Sequence, residues 1–267
     1  MSNPPASDDD DVSANARRAL VVAAVLTALL PLVPLASLLA RPFVWLQTFA
    51  HESGHGLTSL LVGGSGFSLR IFADGSGVAP WHTAATASAF ASTPAASAVV
   101  AIGGLVGPAV ASALFFGAAR HRASARVALA ALAALSFVAA VVVVENLFGK
   151  IAVLAWSIAF AAAAVALDGA KPQIACAFAG IDLGLSVFSR GDYLFASTAH
   201  TAEGDHASDV VLVATGLGGF SWAWGAVIGV ASVAVVAAGL ALLVRRRSVC
   251  ARRRAQRGVS RGARSPS

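Results

Sequence analysis

The chain has 267 residues, of which 57% are hydrophobic and only 12% are charged. A soluble domain carries about 25% charged residues, so this composition excludes a water-soluble globule and excludes disorder over most of the chain. The mean hydropathy of +0.77 indicates an integral membrane protein, and the two cysteines, Cys176 and Cys250, require no disulfide framework.

Both ends of the chain are polar. Residues 1–18 include four consecutive aspartates and are predicted to be a disordered acidic tail. Residues 245–267, also predicted to be disordered, contain nine of the nineteen Lys and Arg residues, all of them arginines. Such a cluster directly after an apolar span is typical of a cytoplasmic end and attracts anionic lipid. A tail that binds nucleic acid is the alternative interpretation of this charge, but we expect no nucleic-acid partner.

Residues 19–244 are predicted to form an all-α polytopic domain with about six or seven transmembrane helices. About twenty apolar residues span a bilayer as a helix, and Pro42 is expected to separate the first two spans. The last apolar stretch is too long for one straight helix, so we expect a break at residues 216–219. The predicted membrane segments are residues 19–40, 43–62, 95–118, 127–144, 151–167, 174–188 and 210–244.

The segment between the second and third spans is not apolar enough to cross a membrane. Residues 63–94 are rich in Gly, Ser, Thr and Ala, and Asp74-Gly75 is a turn signal after a weakly alternating stretch. This pattern predicts a short membrane-associated β-hairpin or re-entrant loop.

The second span contains the segment His51-Glu52-Ser53-Gly54-His55. Two histidines four residues apart lie on one face of a helix, so both imidazoles can bind one Zn²⁺. The ion would lower the pKa of a bound water towards about 7, and Glu52 could then act as general base and acid. The pattern therefore predicts the catalytic centre of a zinc metallopeptidase.

Ionisable side chains inside an apolar span are costly and usually functional. Besides a zinc site, the same cluster is compatible with a polar cavity that handles protons or metal ions in a transporter or channel. A third interpretation is a non-catalytic protein that binds membrane partners. Asn146, between two spans, is expected either to bind a substrate carbonyl or to cap the next helix.

Several further segments accompany the His-Glu-x-x-His pattern: Phe72-Ala73-Asp74-Gly75-Ser76-Gly77, Gly103-Gly104-Leu105-Val106-Gly107-Pro108, Asn146-Leu147-Phe148-Gly149, Gly191-Asp192-Tyr193-Leu194-Phe195 and Ser208-Asp209-Val210. With them, residues 43–243 resemble the site-2 protease family of intramembrane zinc metallopeptidases, especially small bacterial members without a PDZ domain. The resemblance implies cleavage of a membrane-protein substrate within the bilayer of the bacterial cytoplasmic membrane. It gives no oligomeric state.

Members of that family complete the zinc site with a later carboxylate, commonly in a Leu-Asp-Gly motif. Asp168 stands in such a motif here, but at the end of a span and without the upstream Asn-x-x-Pro, so we expect it to be a turn residue. The resemblance favours Asp192 as the third ligand, whereas the cost of burying a carboxylate favours Asp182. Asp209 follows Ser208 and is expected to begin a helix with Ser208 as its N-cap.

Overall fold

The computed structural model of the protein describes residues 36–83, 89–189 and 194–244. The predicted acidic and arginine-rich tails, most of the first predicted span, and Asp192 lie outside the described residues. The domain boundaries predicted at residues 18 and 244 therefore remain predictions.

Within the described ranges, seven α-helices account for most of the chain. Four of them, α2, α3, α4 and α7, are long and apolar enough to cross a membrane. This finding is consistent with a mostly helical membrane protein. The helices are α1 (Ala36–Leu61), α2 (Pro94–Ala118), α3 (Arg122–Val142), α4 (Leu147–Ala166), α5 (Lys171–Ser189), α6 (Asp209–Leu217) and α7 (Ser221–Val244).

Pro42 does not separate two spans, as the sequence analysis predicted, but lies inside α1. A proline inside a helix removes one hydrogen bond and crowds the preceding turn. Here the surrounding turn is held by tertiary contacts: the Trp156 indole N–H donates to the Pro42 carbonyl at 2.9 Å, and the Phe43 ring packs against Trp156 and Phe178. Packing of this turn thus overrides the local preference to end the helix.

The core of the bundle is α2, which runs antiparallel to α1 at a very short distance. A Cβ atom on Gly107 would lie 2.9 Å from the Ala50 carbonyl oxygen, and one on Gly54 would collide with the Gly103 carbonyl. Small residues at such crossings let two backbones approach closely, which is how apolar helices gain packing energy in lipid.

The other long helices are arranged around this pair in definite directions. Gln173 of α5 bonds to Ala119, the residue that follows α2, and Gly180 of α5 bonds to Ser112 of α2, so these two helices are antiparallel. Helix α7 is parallel to α2, because Ile228 packs with Ala101 near the start of α2 and Gly239 packs on Ala113 near its end. The α2–α3 connection and the C-terminal end of α7 therefore lie at the same end of the bundle.

A first β-hairpin follows α1. It consists of two nested antiparallel pairs, β1 (Gly66–Phe67) with β4 (Trp81–His82) and β2 (Arg70–Ile71) with β3 (Gly77–Val78). The turn includes Gly75, whose positive φ of 94° suits glycine. Its association with the membrane remains a prediction.

The two edges of this hairpin differ. The Leu69 main chain bonds to Val143 and Glu145, and the Asn146 amide bonds to both main-chain groups of Ile71, so this edge is paired. On the opposite strand, main-chain groups alternate between pointing into the hairpin and pointing away from it. The Phe72 N–H donates to the Ser76 carbonyl and the Ser68 N–H to the Pro80 carbonyl, so residues 76 and 80 point into the hairpin. The main-chain groups of residues 77 and 79 consequently point away from the hairpin.

A second hairpin, which the sequence analysis did not predict, lies in the polar segment before α6. Strand β5 (Thr198–Thr201) pairs with β6 (Gly204–Ala207). Its tip contacts the first hairpin, because the Ala202 N–H donates to the Ser76 hydroxyl at 3.2 Å and Arg70 bonds Glu203 at 2.7 Å. The predicted break at residues 216–219 coincides with positive-φ glycines at 218 and 219, between α6 and α7.

The close α1–α2 contact generates a prediction. Gly107→Leu should lower the free energy of unfolding by about 1–3 kcal/mol, the usual cost of overpacking. Gly117→Leu in the same helix is the matched control, because a Cβ there meets no atom within 4 Å. The thermal midpoints of the two variants in detergent should therefore differ; equal midpoints would contradict the packing described.

Candidate metal centre

Helix α1 places the two motif histidines on one face, next to each other. The Nε2 atoms of His51 and His55 are 3.1 Å apart, and the two rings are nearly perpendicular. Because the α-helix has 3.6 residues per turn, residues four apart lie above one another. The motif spacing therefore accounts for the placement of both rings on one face of α1.

The third group comes from the first residue of α6. One carboxylate oxygen of Asp209, Oδ2, lies 3.1 Å from Nε2 of His51 and 3.3 Å from Nε2 of His55. The three atoms thus form a nearly equilateral triangle. In a tetrahedral site with bonds of about 2.0–2.1 Å, neighbouring ligand atoms are about 3.3 Å apart. The group could therefore hold a metal ion.

The protonation pattern of His55 supports this interpretation. Its Nδ1 atom lies 2.9 Å from the Val100 carbonyl oxygen, which can only accept, so Nδ1 carries a proton. In the neutral ring, Nε2 then presents a lone pair to the carboxylate of Asp209. Nε2 is then the ring nitrogen available to bind a metal ion together with Asp209. A backbone carbonyl that orients a ligating histidine is also a common support of metal sites.

The backbone of α2 leaves space for the His55 ring. The His55 ring lies directly over Gly104 of α2, where any Cβ atom would overlap it. Small residues in α2 thus let α1 approach closely and let the imidazole lie between the two helices.

Glu52 is buried, with 5% of its surface exposed, and it faces the first hairpin. A Cβ atom on Gly77 would lie 2.9 Å from Cγ and Oε1 of Glu52. The adjacent turn is attached to α1 by the Thr48 hydroxyl, which donates to the Gly75 carbonyl at 2.6 Å. The carboxylate is therefore held between its own helix and strand β3.

An open cleft of about 450 Å³ gives access to these groups. One wall is the outward-facing strand at residues 77–81, and the other is the second hairpin, including Thr201 and His206. The His51, Glu52, His55 and Asp209 side chains line its floor.

Arg70 connects the segments that surround the cleft. Its guanidinium donates to Glu145 at 2.8 Å and to Glu203 at 2.7 Å. These bonds link the first hairpin to the α3–α4 connection and to the second hairpin. The hydrogen bond from Arg70 holds the pKa of the Glu145 carboxyl below its usual range.

The structure separates Asp182 and Asp168, two of the other carboxylates considered in the sequence analysis, from this group. Asp182 of α5 accepts a hydrogen bond from the Gln47 amide at 2.9 Å and is not part of the triangle. Asp168 is exposed and pairs with Arg122 and Arg126, as expected for a turn residue. Asp192 lies outside the described residues.

The contacts of Asn146 and Asp209 differ from those that the sequence analysis predicted. Asn146 precedes α4 but makes no capping bond; its amide instead binds Ile71. Asp209 begins a helix after Ser208, as expected, but its carboxylate reaches the histidine pair, and the Ser208 hydroxyl donates to the Ala196 carbonyl rather than capping. The available signal for Asp209 was its place in Ser208-Asp209-Val210, at the edge of an apolar stretch.

A helical membrane protein that brings a His-Glu-x-x-His helix to a distant carboxylate has the architecture expected of a membrane metallopeptidase. The family model described as Peptidase M50B-like matches residues 19–239. The chain therefore belongs to the Peptidase M50B-like family, in agreement with its resemblance to site-2 proteases. Comparison with curated proteins and comparison with solved structures each found no match.

Proposed function

We propose that the protein is an intramembrane zinc metalloprotease that hydrolyses peptide bonds in or near transmembrane segments of membrane-protein substrates. The observation that carries this proposal is the convergence of His51, His55 and Asp209 beside Glu52 at the floor of one cleft. Membership in a peptidase family supports the same reaction class.

The metal ligands proposed are His51, His55 and Asp209. Two imidazoles and one carboxylate suit Zn²⁺, and three protein ligands leave one position open, as in catalytic zinc sites. A bound zinc ion lowers the pKa of a coordinated water to about 7 and polarises a carbonyl group. The proposal thus gives Asp209 the role for which the sequence had favoured Asp192 or Asp182.

The chain's own residues would carry the proton transfers. Glu52 is proposed to accept a proton from the attacking water and to return it to the leaving amine. Its position between α1 and Gly77 restricts the carboxylate to the cleft floor. The Val100 carbonyl keeps His55 in the tautomer whose Nε2 faces the ligand group.

The substrate is proposed to bind as an added strand. A helix hides its own main-chain groups, so a transmembrane substrate must unwind before hydrolysis. The outward-pointing main chain of residues 77 and 79 lines the cleft and offers hydrogen bonds to an extended segment. Binding there would place the unwound segment directly over Glu52.

The proposed membrane arrangement retains six or seven spans. Helices α2, α3, α4 and α7 meet the length and hydropathy of a span. We count α1 and α5 as spans too, because they pack inside the same bundle despite their polar residues. A further span in residues 19–35 would make seven.

Metal analysis tests the ligand set. Purified wild-type protein should contain about one zinc ion per chain, and His51→Ala and Asp209→Ala should lose it because each removes one of three ligands. Asp182→Ala is the matched control and should retain the metal. Loss of zinc in Asp192→Ala, together with retention in Asp209→Ala, would contradict the assignment.

Glu52→Gln tests the reaction. Hydrolysis of a single-span reporter with a helix-breaking segment, in liposomes, should fall by about 10²–10⁴-fold, because general acid–base catalysis is lost. Zinc content should be unchanged. Asp168→Asn, in an exposed turn residue that pairs with Arg122 and Arg126 outside the cleft, is the control. Ion flux through the wild type that persists in Glu52→Gln, without any hydrolysis, would instead support a transporter.

Ala79→Pro tests the strand pairing. The substitution removes an N–H that points into the cleft without removing a bond inside the hairpin, so cleavage should fall about tenfold, near the value of one hydrogen bond. Ala79→Ser keeps the N–H and should cleave normally. Both variants should bind zinc like the wild type. Unchanged cleavage by the proline variant would exclude pairing at this position.

A further inference from the structure

The two ends of the helix bundle carry different charges. At one end, which we name the basic end, the α2–α3 and α4–α5 connections meet through the pairing of Asp168 with Arg122 and Arg126. Helix α7 also ends there, because Leu243 is buried in one cluster with Ala119 and Ala125. The arginines that begin at Arg245 follow directly in the sequence.

The opposite end, which we name the cleft end, carries both hairpins and the α3–α4 connection. Of the seven Lys and Arg residues in the described part of the chain, two lie at this end, Arg70 and Lys150. The acidic residues of the two hairpins and the α3–α4 connection outnumber these two basic residues. The five at the basic end are Arg41, Arg120, Arg122, Arg126 and Lys171.

The ligand group lies nearer the cleft end. At the α-helical rise of 1.5 Å per residue, His51 and His55 are about 15 Å and about 9 Å from the end of α1 at Leu61. Helix α6 runs from Asp209 back to Gly216, which packs against Pro94, the first residue of α2. The cleft above the ligand group is walled by the two hairpins, so it opens at the cleft end.

The Lys and Arg residues in short loops set the orientation of membrane proteins, with the richer side in the cytoplasm. The bias here is concentrated at one end and is enlarged by the nine arginines after Val244. We infer that the basic end faces the cytoplasm and that the catalytic cleft opens on the non-cytoplasmic side of the membrane.

This orientation defines the substrate class, a step that rests on the proposed function. Substrates would be membrane proteins whose unwound segment approaches from the non-cytoplasmic half of the bilayer. Their cleavage would release the portion on that side. The orientation itself is independent of any catalysis and can be tested separately.

Cysteine labelling of the full chain in intact bacterial cells tests the orientation. Cys250 in the tail is a native reporter, and Cys176 is fully buried. In a Cys250→Ser background, Ala202→Cys marks the tip of the second hairpin and Ala123→Cys marks the basic end; both alanines are exposed. The Cys250→Ser variant without a further substitution is the control for background labelling.

A membrane-impermeant maleimide should label Ala202→Cys in intact cells. It should label Ala123→Cys, and Cys250 of the wild type, only after permeabilisation. Labelling of wild-type Cys250 in intact cells would overturn the inference, and this result needs no substitution. Labelling of both engineered positions in intact cells would overturn it too.

A pair of single-span reporters tests the substrate class. Both carry the same helix-breaking segment, placed near the non-cytoplasmic interface in one and near the cytoplasmic interface in the other. Only the first should be cleaved, and cleavage of the second alone would overturn the inference. If neither is cleaved while the labelling pattern is as expected, the proposed function fails and the inferred orientation is supported.

Discussion

The structure depends on one arrangement: a carboxylate held against two imidazoles inside an apolar bundle. A buried carboxylate is costly unless a cation or hydrogen-bond donors compensate it. Here three elements distant in sequence meet that condition. Helix α1 supplies both rings, α2 supplies the Val100 carbonyl that orients one of them, and α6 begins with Asp209. Displacement of any one element would separate the carboxylate from the imidazoles or remove the carbonyl that orients His55.

The small residues of α1 and α2 make this arrangement sterically possible. Gly54 faces the Gly103 carbonyl, and Gly104 lies beneath the His55 ring, so the two helices approach more closely than larger side chains allow. Close packing between apolar helices is also their main source of association energy in lipid. The same residues therefore contribute to stability and give the imidazole its space, and both effects come from the absence of a Cβ atom.

Local sequence patterns predicted the features that depend on a single helix or turn. The His51–His55 convergence follows from helical spacing, and the break between α6 and α7 follows from the glycines there. The partner Asp209 was not predicted, because its proximity to the histidines depends on how α6 packs against α2, and no local pattern encodes this contact. The prediction that Pro42 separates two spans was wrong for a related reason, because a tertiary contact from Trp156 stabilises the helical turn at Pro42. The second hairpin was missed because its exposed β6 strand has no apolar alternation.

The two parts of the site differ in how firmly they are held. The ligand group is attached to α1 and to the short helix α6, both of which have buried contacts. The second hairpin contacts the first through Arg70–Glu203 and the Ala202–Ser76 bond. Arg70 and Glu203 are each about one-third exposed, and partly exposed ion pairs of this kind contribute at most about 1 kcal/mol. Arg70 also bonds Glu145, whose N–H donates to the Leu69 carbonyl. The reacting groups thus lie on helices with buried contacts, whereas the second hairpin, one wall of the cleft, contacts the first through partly exposed groups.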